Sequence, residues 1–281
     1  EAAFEQLRVA NTEIILATPL KDMLPRVEDN LFAGGKQISS TPVLGACDGF
    51  YKSTVSNGTQ FTTLLGLDMT NSKLARADTI VSQPGPIYAS ASALYMSVPL
   101  QNMSSYSWNG YGLQSQEEVS TVHKFNLLTK QADLSYVGSG VVKGRVLNQF
   151  SMDEHKGYLR IATTTGRLPS ANVHSTLSVL EDLDDQLLLV GQLDNLAPKE
   201  DIRSMRFDGD RAFMVTFKKT DPLFTFDLST PSAPRVLAEL KIPGFSTYMH
   251  MMDKDHLLTI GYDANDQGSF AWFTGVRLQI F

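Results

Sequence analysis

Short segments in which apolar and polar residues alternate recur along most of the chain. Such alternation predicts β-strands that turn one face toward a core. Most copies end in a small or acidic turn, and successive copies lie about 50 residues apart, a spacing typical of a repeated four-stranded unit. The copies occupy residues 61–68, 121–126, 176–181, 223–227 and 276–281.

A second strand and then a hairpin are predicted after each of the first four copies. The second strands are predicted at residues 77–81, 134–137, 187–190 and 235–238. The hairpins are predicted at residues 87–96, 147–163, 204–217 and 249–261. Gly and Asp in several hairpin turns tolerate the positive φ that tight turns require. Each unit is therefore predicted to contain four antiparallel strands.

The repetition predicts an all-β fold, a β-propeller of about four to five four-stranded antiparallel blades. A sheet of this size cannot bury both faces alone, and radial packing of copies covers them. Tandem β-sandwiches are the alternative, which the regular spacing disfavours. Residues 1–41, with Pro19, Pro25, Gly34 and Gly35, are predicted to be an irregular arm or long loop. The expected repeats span residues 42–85, 86–144, 145–202, 203–247 and, incompletely, 248–281.

Composition narrows the class of function. Apolar residues make up 42% of the chain, enough for a full core, and charged residues 19%. The net charge of −6 argues against a nucleic-acid partner, because phosphate binding needs a basic surface. Cys47, the single cysteine, has no intramolecular disulfide partner. No apolar run approaches the length of a transmembrane helix.

Five sequence segments in and around the predicted hairpins are similar to a known family. Residues 147–165, 196–213, 216–224, 227–234 and 240–246 carry the similarity. They resemble the secreted or envelope β-propeller domain family of bacteria and archaea that is distantly related to WD40 repeats, and the resemblance extends over about residues 42–281. It implies a location outside the cytoplasm, secreted or anchored to the envelope. The function of the family is uncharacterised, so no catalytic residues transfer.

The same resemblance implies further blades before and after the matching region, so we expect this chain to be a fragment of a larger ring. Phe281 falls within a predicted strand, where the family continues toward an Asp-containing turn. An incomplete ring exposes a blade face and a sheet edge. We therefore expect the open ends to associate with the missing blades of a parent chain or with another copy.

Two groups of residues are candidates for contacting a partner. The loop with Tyr106, Trp108 and Tyr111, and a second cluster at Trp272, have the aromatic composition of protein or glycan contact loops. Packing over a blade edge is the alternative for both. Arg203 and Arg206 fall on a predicted innermost strand, where they could bind an anionic partner in the central channel. Their alternative role is pairing with neighbours such as Asp201 or Asp208.

Clustered His and Asp residues are candidates for a metal site. His250 lies near further acidic residues, and Asp263 and Asp266 offer the oxygen ligands that Ca²⁺ prefers. A solvated turn or loop is the competing interpretation, and otherwise no cofactor is expected. Residues 153–155, Asp-Glu-His, could do acid–base chemistry, but their predicted place at a hairpin tip favours a structural role.

These observations predict a non-catalytic binding or scaffolding module outside the cytoplasm, with protein or glycan partners at its loops or channel mouth. The alternative is a metal-assisted hydrolase or lyase that uses the central channel. A purely structural envelope protein is a third interpretation. Three or more ligands gathered around a metal would favour the enzyme, and paired arginines beside packed apolar residues would favour binding.

Overall fold

Twenty strands dominate the part of the chain that the computed structural model describes, namely residues 1–25, 28–42, 49–53, 55, 58, 60–67, 74–100, 118–128, 133–217, 221–242, 244–266 and 271–281. The first strands are β1 Glu28–Ala33, β2 Lys36–Pro42, β3 Phe50–Tyr51, β4 Phe61–Leu67, β5 Leu74–Val81, β6 Ile87–Ala89, β7 Ala93–Pro99, β8 Val119–Leu128, β9 Asp133–Lys143 and β10 Met152–His155. They are followed by β11 Tyr158–Thr165, β12 His174–Leu183, β13 Gln186–Leu196, β14 Asp201–Asp208, β15 Arg211–Phe217, β16 Asp221–Asp227, β17 Arg235–Ile242, β18 Phe245–Met251, β19 Leu257–Asp266 and β20 Ala271–Ile280.

Five groups of strands follow one another along the chain, and we name them blades 1 to 5. Blade 1 contains β3, β4 and β5, and blade 2 contains β6 to β9 in sequential antiparallel order. Blade 3 contains β10 to β13 in sequential order, and a short parallel pairing of β9 with β13 joins blades 2 and 3 into one eight-stranded sheet. Blade 4 contains β14 to β17, again in sequential order. Blade 5 contains β18, β19 and β20. The predicted all-β propeller fold is confirmed.

Neighbouring blades pack face to face through alternate residues of each strand. In β15 of blade 4, Met214 belongs to the apolar cluster shared with blade 3, whereas Val215 belongs to the cluster shared with blade 5. Similar clusters join blade 1 to blade 2 and blade 2 to blade 3. Each central strand thus has two buried faces, so that polar residues of β8 such as Thr121 and His123 are buried together with its apolar ones. This serial packing of single sheets is the propeller arrangement and not a pair of stacked sheets.

Residues 1–41 are more regular than the predicted irregular arm. Two helices, α1 Ala2–Ala17 and α2 Leu20–Met23, precede the hairpin of β1 and β2. Good helix formers fill α1 without Gly or Pro. No residue of α1 is buried, so packing imposes no clear periodicity on its sequence. Gly34 and Gly35 have φ of 60° and 76° and form the two-residue turn of the hairpin, a signal typical of such turns.

The hairpin predicted for residues 147–163 begins later than expected. A short 3-10 helix, Gln149–Ser151, occupies the place of its first residues, and β10 starts at Met152. The side chain of Asn148 accepts a hydrogen bond from the backbone nitrogen of Phe150 at 3.0 Å and so begins the 3-10 turn. Asn148 and Ser151 therefore do not lie on an innermost strand.

The hairpin turns between the first two strands of successive blades are tied to one another. Ser90 of blade 2 donates to Glu154 of blade 3. Lys156 of blade 3 bonds Asp210 of blade 4 at 2.7 Å, and Arg211 of blade 4 donates to the backbone carbonyl of Lys254 in blade 5 at 2.6 Å. These contacts repeat from blade to blade and hold the order of the blades at this end of the sheets.

Candidate functional site

The first strands of successive blades lie next to one another, as innermost strands of a propeller do. The 3-10 helix before β10 contacts β14, and β14 contacts β18. Three side chains from these neighbouring segments, Phe150, Arg206 and Tyr248, form what we call the inner-strand cluster. The cluster draws one side chain each from blades 3, 4 and 5.

Aromatic rings and a guanidinium group define the inner-strand cluster. The guanidinium carbon of Arg206 lies 5.7 Å from the ring centroid of Phe150. The ring of Phe150 meets that of Tyr248 edge-on, with centroids 6.3 Å apart. Both rings are 40% exposed, and Arg206 is half-buried. A guanidinium beside an aromatic face is attracted by the ring and retains its planar set of N–H donors.

Arg203 and Arg206 have different surroundings, although the sequence offered both for the same role. Arg203 lies 3.1 Å from a carboxylate oxygen of Asp201, and its guanidinium also faces the rings of Phe217 and Phe245. The pairing with Asp201 is the alternative considered for it. Within the described part of the chain, no carboxylate lies at ion-pair distance from Arg206. Arg206 is therefore the better candidate for an anionic ligand.

The predicted metal ligands are engaged in other contacts or lie apart. His250 is exposed on β18, and Asp263 bonds Arg277 at 2.7 Å. In the turn between β18 and β19, Asp253 accepts a hydrogen bond from His256. The described residues contain no group of three or more His, Cys, Asp or Glu side chains arranged to hold a metal ion. Asp266 ends β19, and its side chain lies outside the described part, so Ca²⁺ binding there stays a prediction.

Residues 153–155 connect blades. Asp153 pairs with the buried Arg160 of the same hairpin. Glu154 accepts from Ser90, and its backbone nitrogen bonds the hydroxyl of Tyr88 at 3.1 Å. Each of these contacts joins hairpin tips or neighbouring strands, which is the structural role that the sequence favoured.

The predicted aromatic contact residues fall mostly outside the described part of the chain. Tyr106, Trp108 and Tyr111 fall between β7 and β8 in the sequence, outside the described residues. Trp272 lies on β20 opposite Asn265, and its side chain is likewise outside the described part. Their partner-binding roles stay predictions. No helix in the described ranges has the length and hydropathy needed to cross a membrane.

The outward face of blade 5 is apolar and exposed. The sequence analysis predicted that an incomplete ring exposes a blade face, but it did not identify the residues of that face. Val276, Leu278 and Ile280 on β20 are 77%, 65% and 58% exposed. On β19, Ile260 lies opposite Leu278, and Tyr262 lies opposite Val276. We call these five residues the open face of blade 5. The other face of this blade packs on blade 4 through Met249 and Leu257.

Blade 1 has a corresponding surface at the other end of the array. Phe61, Leu65 and Leu67 on β4 are 43%, 50% and 56% exposed. Leu64, which points the opposite way, packs in the cluster shared with blade 2. The alternation that buries one face of each end blade therefore leaves the other face apolar and uncovered by the described residues. The alternation of residues along each strand indicates that a strand has two distinct faces, but it does not predict which face lacks a neighbouring blade.

Comparison with known proteins agrees with this architecture. A family model described as "Beta propeller domain" matches residues 3–281. The match begins well before residue 42, where the resemblance in sequence was placed, and so includes the helices and the first hairpin.

Two relatives carry descriptions that assign no function. An uncharacterized protein of Archaeoglobus fulgidus is 41% identical over 156 residues, which are 55% of this chain and 23% of that protein. The uncharacterized protein MJ1554 of Methanocaldococcus jannaschii is 44% identical over 146 residues, which are 52% of this chain and 22% of that protein. The aligned part thus spans less than a quarter of either relative.

Proposed function

The chain belongs to the β-propeller domain family, and from this premise we propose that it is a non-catalytic binding and scaffolding module that works outside the cytoplasm and docks a further blade. The open face of blade 5 carries the proposal. A surface of this kind marks an interaction site, because soluble proteins rarely expose contiguous apolar patches without a partner.

The chemistry of the open face matches that of a blade interface. At the described boundaries between blades, the side chains of alternate strand positions are buried against the next sheet. Val276, Leu278 and Ile280 occupy equivalent alternate positions on β20. Burial of an aliphatic side chain of this size contributes about 1.5–3 kcal/mol, so covering the face stabilises the array substantially.

The proposed occupant is a further blade from polypeptide outside these 281 residues. The relatives support this source, because the regions aligned with this chain are only 23% and 22% of their lengths. A second copy of the chain, which could pack its blade 1 on the open face, is the competing occupant.

Cysteine labelling separates these occupants. In a Cys47→Ser background, Val276→Cys should react rapidly with a maleimide in the 281-residue protein at low concentration. It should be protected at the same concentration in the full-length gene product. Protection that grows with concentration in the 281-residue protein would identify a second copy instead. Equal labelling in all samples, together with a single monomeric species in sedimentation, would reject the docking function.

Matched substitutions test the apolar character of the face. Leu278→Lys should lower the free energy of unfolding of the full-length gene product, because the further blade would bury the introduced charge without a partner. The control is Leu237→Lys on the outer strand β17, since Leu237 is 53% exposed but lies away from the end of the array. Equal effects of the two variants would contradict a specific role for the open face.

The location outside the cytoplasm rests on the resemblance to secreted and envelope propellers. Its test is protease treatment of intact cells that produce the full-length protein. Digestion of the propeller without lysis is the expected result, and complete protection that ends only on lysis would reject the location. Protein or glycan partners at the loop containing Tyr106, Trp108 and Tyr111 belong to the same proposal.

A further inference from the structure

A cleft of about 440 Å³ lies where blades 1, 2 and 3 meet, away from the inner-strand cluster. One wall is the segment after β3, and the other is formed by β9 and by the turn that begins β13. The volume is within the range of small-molecule sites. Nothing in the predicted function uses this cleft.

Glycines in β9 allow the walls to approach one another. Gly138 and Gly140 lie so close to the backbone carbonyls of Asp185 and Leu187 that a Cβ atom on either would overlap them. β9 and β13, the last strands of blades 2 and 3, pair at this point through Ser139 and Gln186. The junction fixes the position of Asp185 and Gln186 at the rim of the cleft.

The aromatic part of the cleft is Tyr51 packed on Tyr136, with ring centroids 4.6 Å apart and planes tilted by 31°. Two hydrogen bonds hold Tyr136 in place. Its hydroxyl bonds Nδ1 of His123 at 3.1 Å, and its backbone nitrogen donates to a carboxylate oxygen of Asp78 at 2.8 Å. Burial lowers the pKa of His123 to about 4, so this imidazole is uncharged at neutral pH. The aromatic pair therefore rests on a rigid base.

Hydroxyl groups continue the polar surface beside the rings. Ser139 donates to the oxygen of Ser53 at 3.2 Å, and the backbone nitrogen of Val55 donates to the same oxygen at 3.2 Å. A hydroxyl has one proton to donate. Because Ser53 acts as the acceptor in both contacts, its proton is available to a ligand.

The rim carries groups of both charges. Lys52 and Asp185 are exposed and line the same cleft with the amide of Gln186. An anionic ligand would meet Asp185, a cationic one would meet Lys52, and an apolar one would leave the hydroxyl proton of Ser53 without an acceptor. A neutral ligand with many hydroxyl groups and an apolar ring face satisfies all of these groups.

We propose that this cleft binds a carbohydrate of one or two sugar rings, which stacks on Tyr51 and bonds Ser53, Asp185 and Gln186. The inference extends the proposed binding function to a glycan, but it rests on a different surface from the open face of blade 5. The labelling of the Val276→Cys variant does not depend on it, so either proposal can fail without the other.

Saturation-transfer NMR with methyl α-mannoside, maltose and N,N′-diacetylchitobiose tests the cleft. We expect transfer to at least one probe at millimolar concentration. Tyr51→Ala should weaken its affinity about tenfold, as expected for loss of an aromatic contact. Gln186→Ala, at an exposed position, should weaken it by a smaller factor without affecting folding.

Phe32→Ala is the matched control, since this aromatic residue is 62% exposed on β1 and belongs to neither proposed surface. It should bind the probe as the unsubstituted protein does. Absence of transfer from all three sugars would overturn the proposal, and so would undiminished affinity in both Tyr51→Ala and Gln186→Ala. The circular dichroism spectrum of each variant establishes that it is folded.

Discussion

Gly138 lies against the backbone carbonyl of Asp185, where a Cβ atom would stand 1.9 Å from that oxygen. The contact joins the outer strands of blades 2 and 3, and backbone groups cannot move aside as a flexible side chain can. Glycine is required here for close approach and not for a left-handed conformation, because only Gly144 among the glycines of residues 138–144 has a positive φ.

Gly138→Ala should lower the free energy of unfolding by about 1–3 kcal/mol, the usual range for overpacking. The control is Gly275→Ala, because a Cβ atom at Gly275 meets no described atom within 4 Å. Urea unfolding at pH 7 measures both variants. Equal free energies of unfolding for the two variants would show that β9 can move away from the Asp185 carbonyl without loss of stability.

Asp153 neutralises Arg160, whose side chain is 3% exposed. Asp153→Ala should lower the free energy of unfolding by about 3–5 kcal/mol, because it leaves a buried cation uncompensated. Asp255→Ala, which removes the partner of the exposed Lys254, should cost less than about 1 kcal/mol.

A double-mutant cycle with Arg160→Met completes this test of the buried pair. Asp153→Ala in the Arg160→Met background should cost much less than in the unsubstituted protein. Additive effects would mean that the two side chains act independently.

His123 is fully buried, and burial lowers its pKa to about 4 from an ordinary value of 6.5. As the pH falls, His123 is protonated in the unfolded state before it is protonated in the folded state. The free energy of unfolding that His123 preserves above pH 6.5 is therefore lost as the pH falls from 6.5 toward 4. The loss should approach about 3 kcal/mol from this residue.

Urea unfolding at pH 7 and pH 5 measures the effect of His123. The variant His123→Gln should lose part of the pH dependence, whereas His256→Gln, at an exposed position, should retain it. Unchanged pH dependence in His123→Gln would assign the effect to other groups.

Arg206 should bind an anionic group without contributing much to stability. Arg206→Gln is expected to weaken binding of inorganic pyrophosphate about tenfold, since a charge-assisted contact of this kind contributes roughly 1.5–3 kcal/mol. The control is Arg235→Gln, because Arg235 is exposed and already paired with Asp227. Isothermal titration calorimetry at low salt measures the affinity. Identical affinities in the unsubstituted protein and in Arg206→Gln would contradict the assignment.

Sequence reasoning found the repeated strands because period-2 patterning and turn residues are local. Strands were predicted at residues 61–68 and 121–126. Residues 61–67 lie in β4 and residues 121–126 in β8, while residue 68 lies outside the described part of the chain. It missed α1, whose residues are all exposed and so carry no clear periodicity. It also placed Asn148 on a strand, because a 3-10 turn of three residues is too short to leave a pattern.

Candidate residues were found with less success, since a site joins residues that are distant in the chain. Arg203 and Arg206 have the same residue type and lie on the same strand, and the sequence left open which of them pairs with Asp201. Only the fold places Phe150 beside Arg206. Tyr51 and Tyr136 are 85 positions apart, and no local signal connects them. The cleft they share could not have been predicted.

The sequence by itself determined the repeat and the all-β class of the fold, because strand alternation and turn chemistry depend on neighbouring residues. Only the tertiary structure decided which face of each blade is covered, which aromatic rings lie beside each arginine and where a cleft opens. Those properties depend on contacts between blades, and the free energy of such contacts is set by residues far apart in the chain.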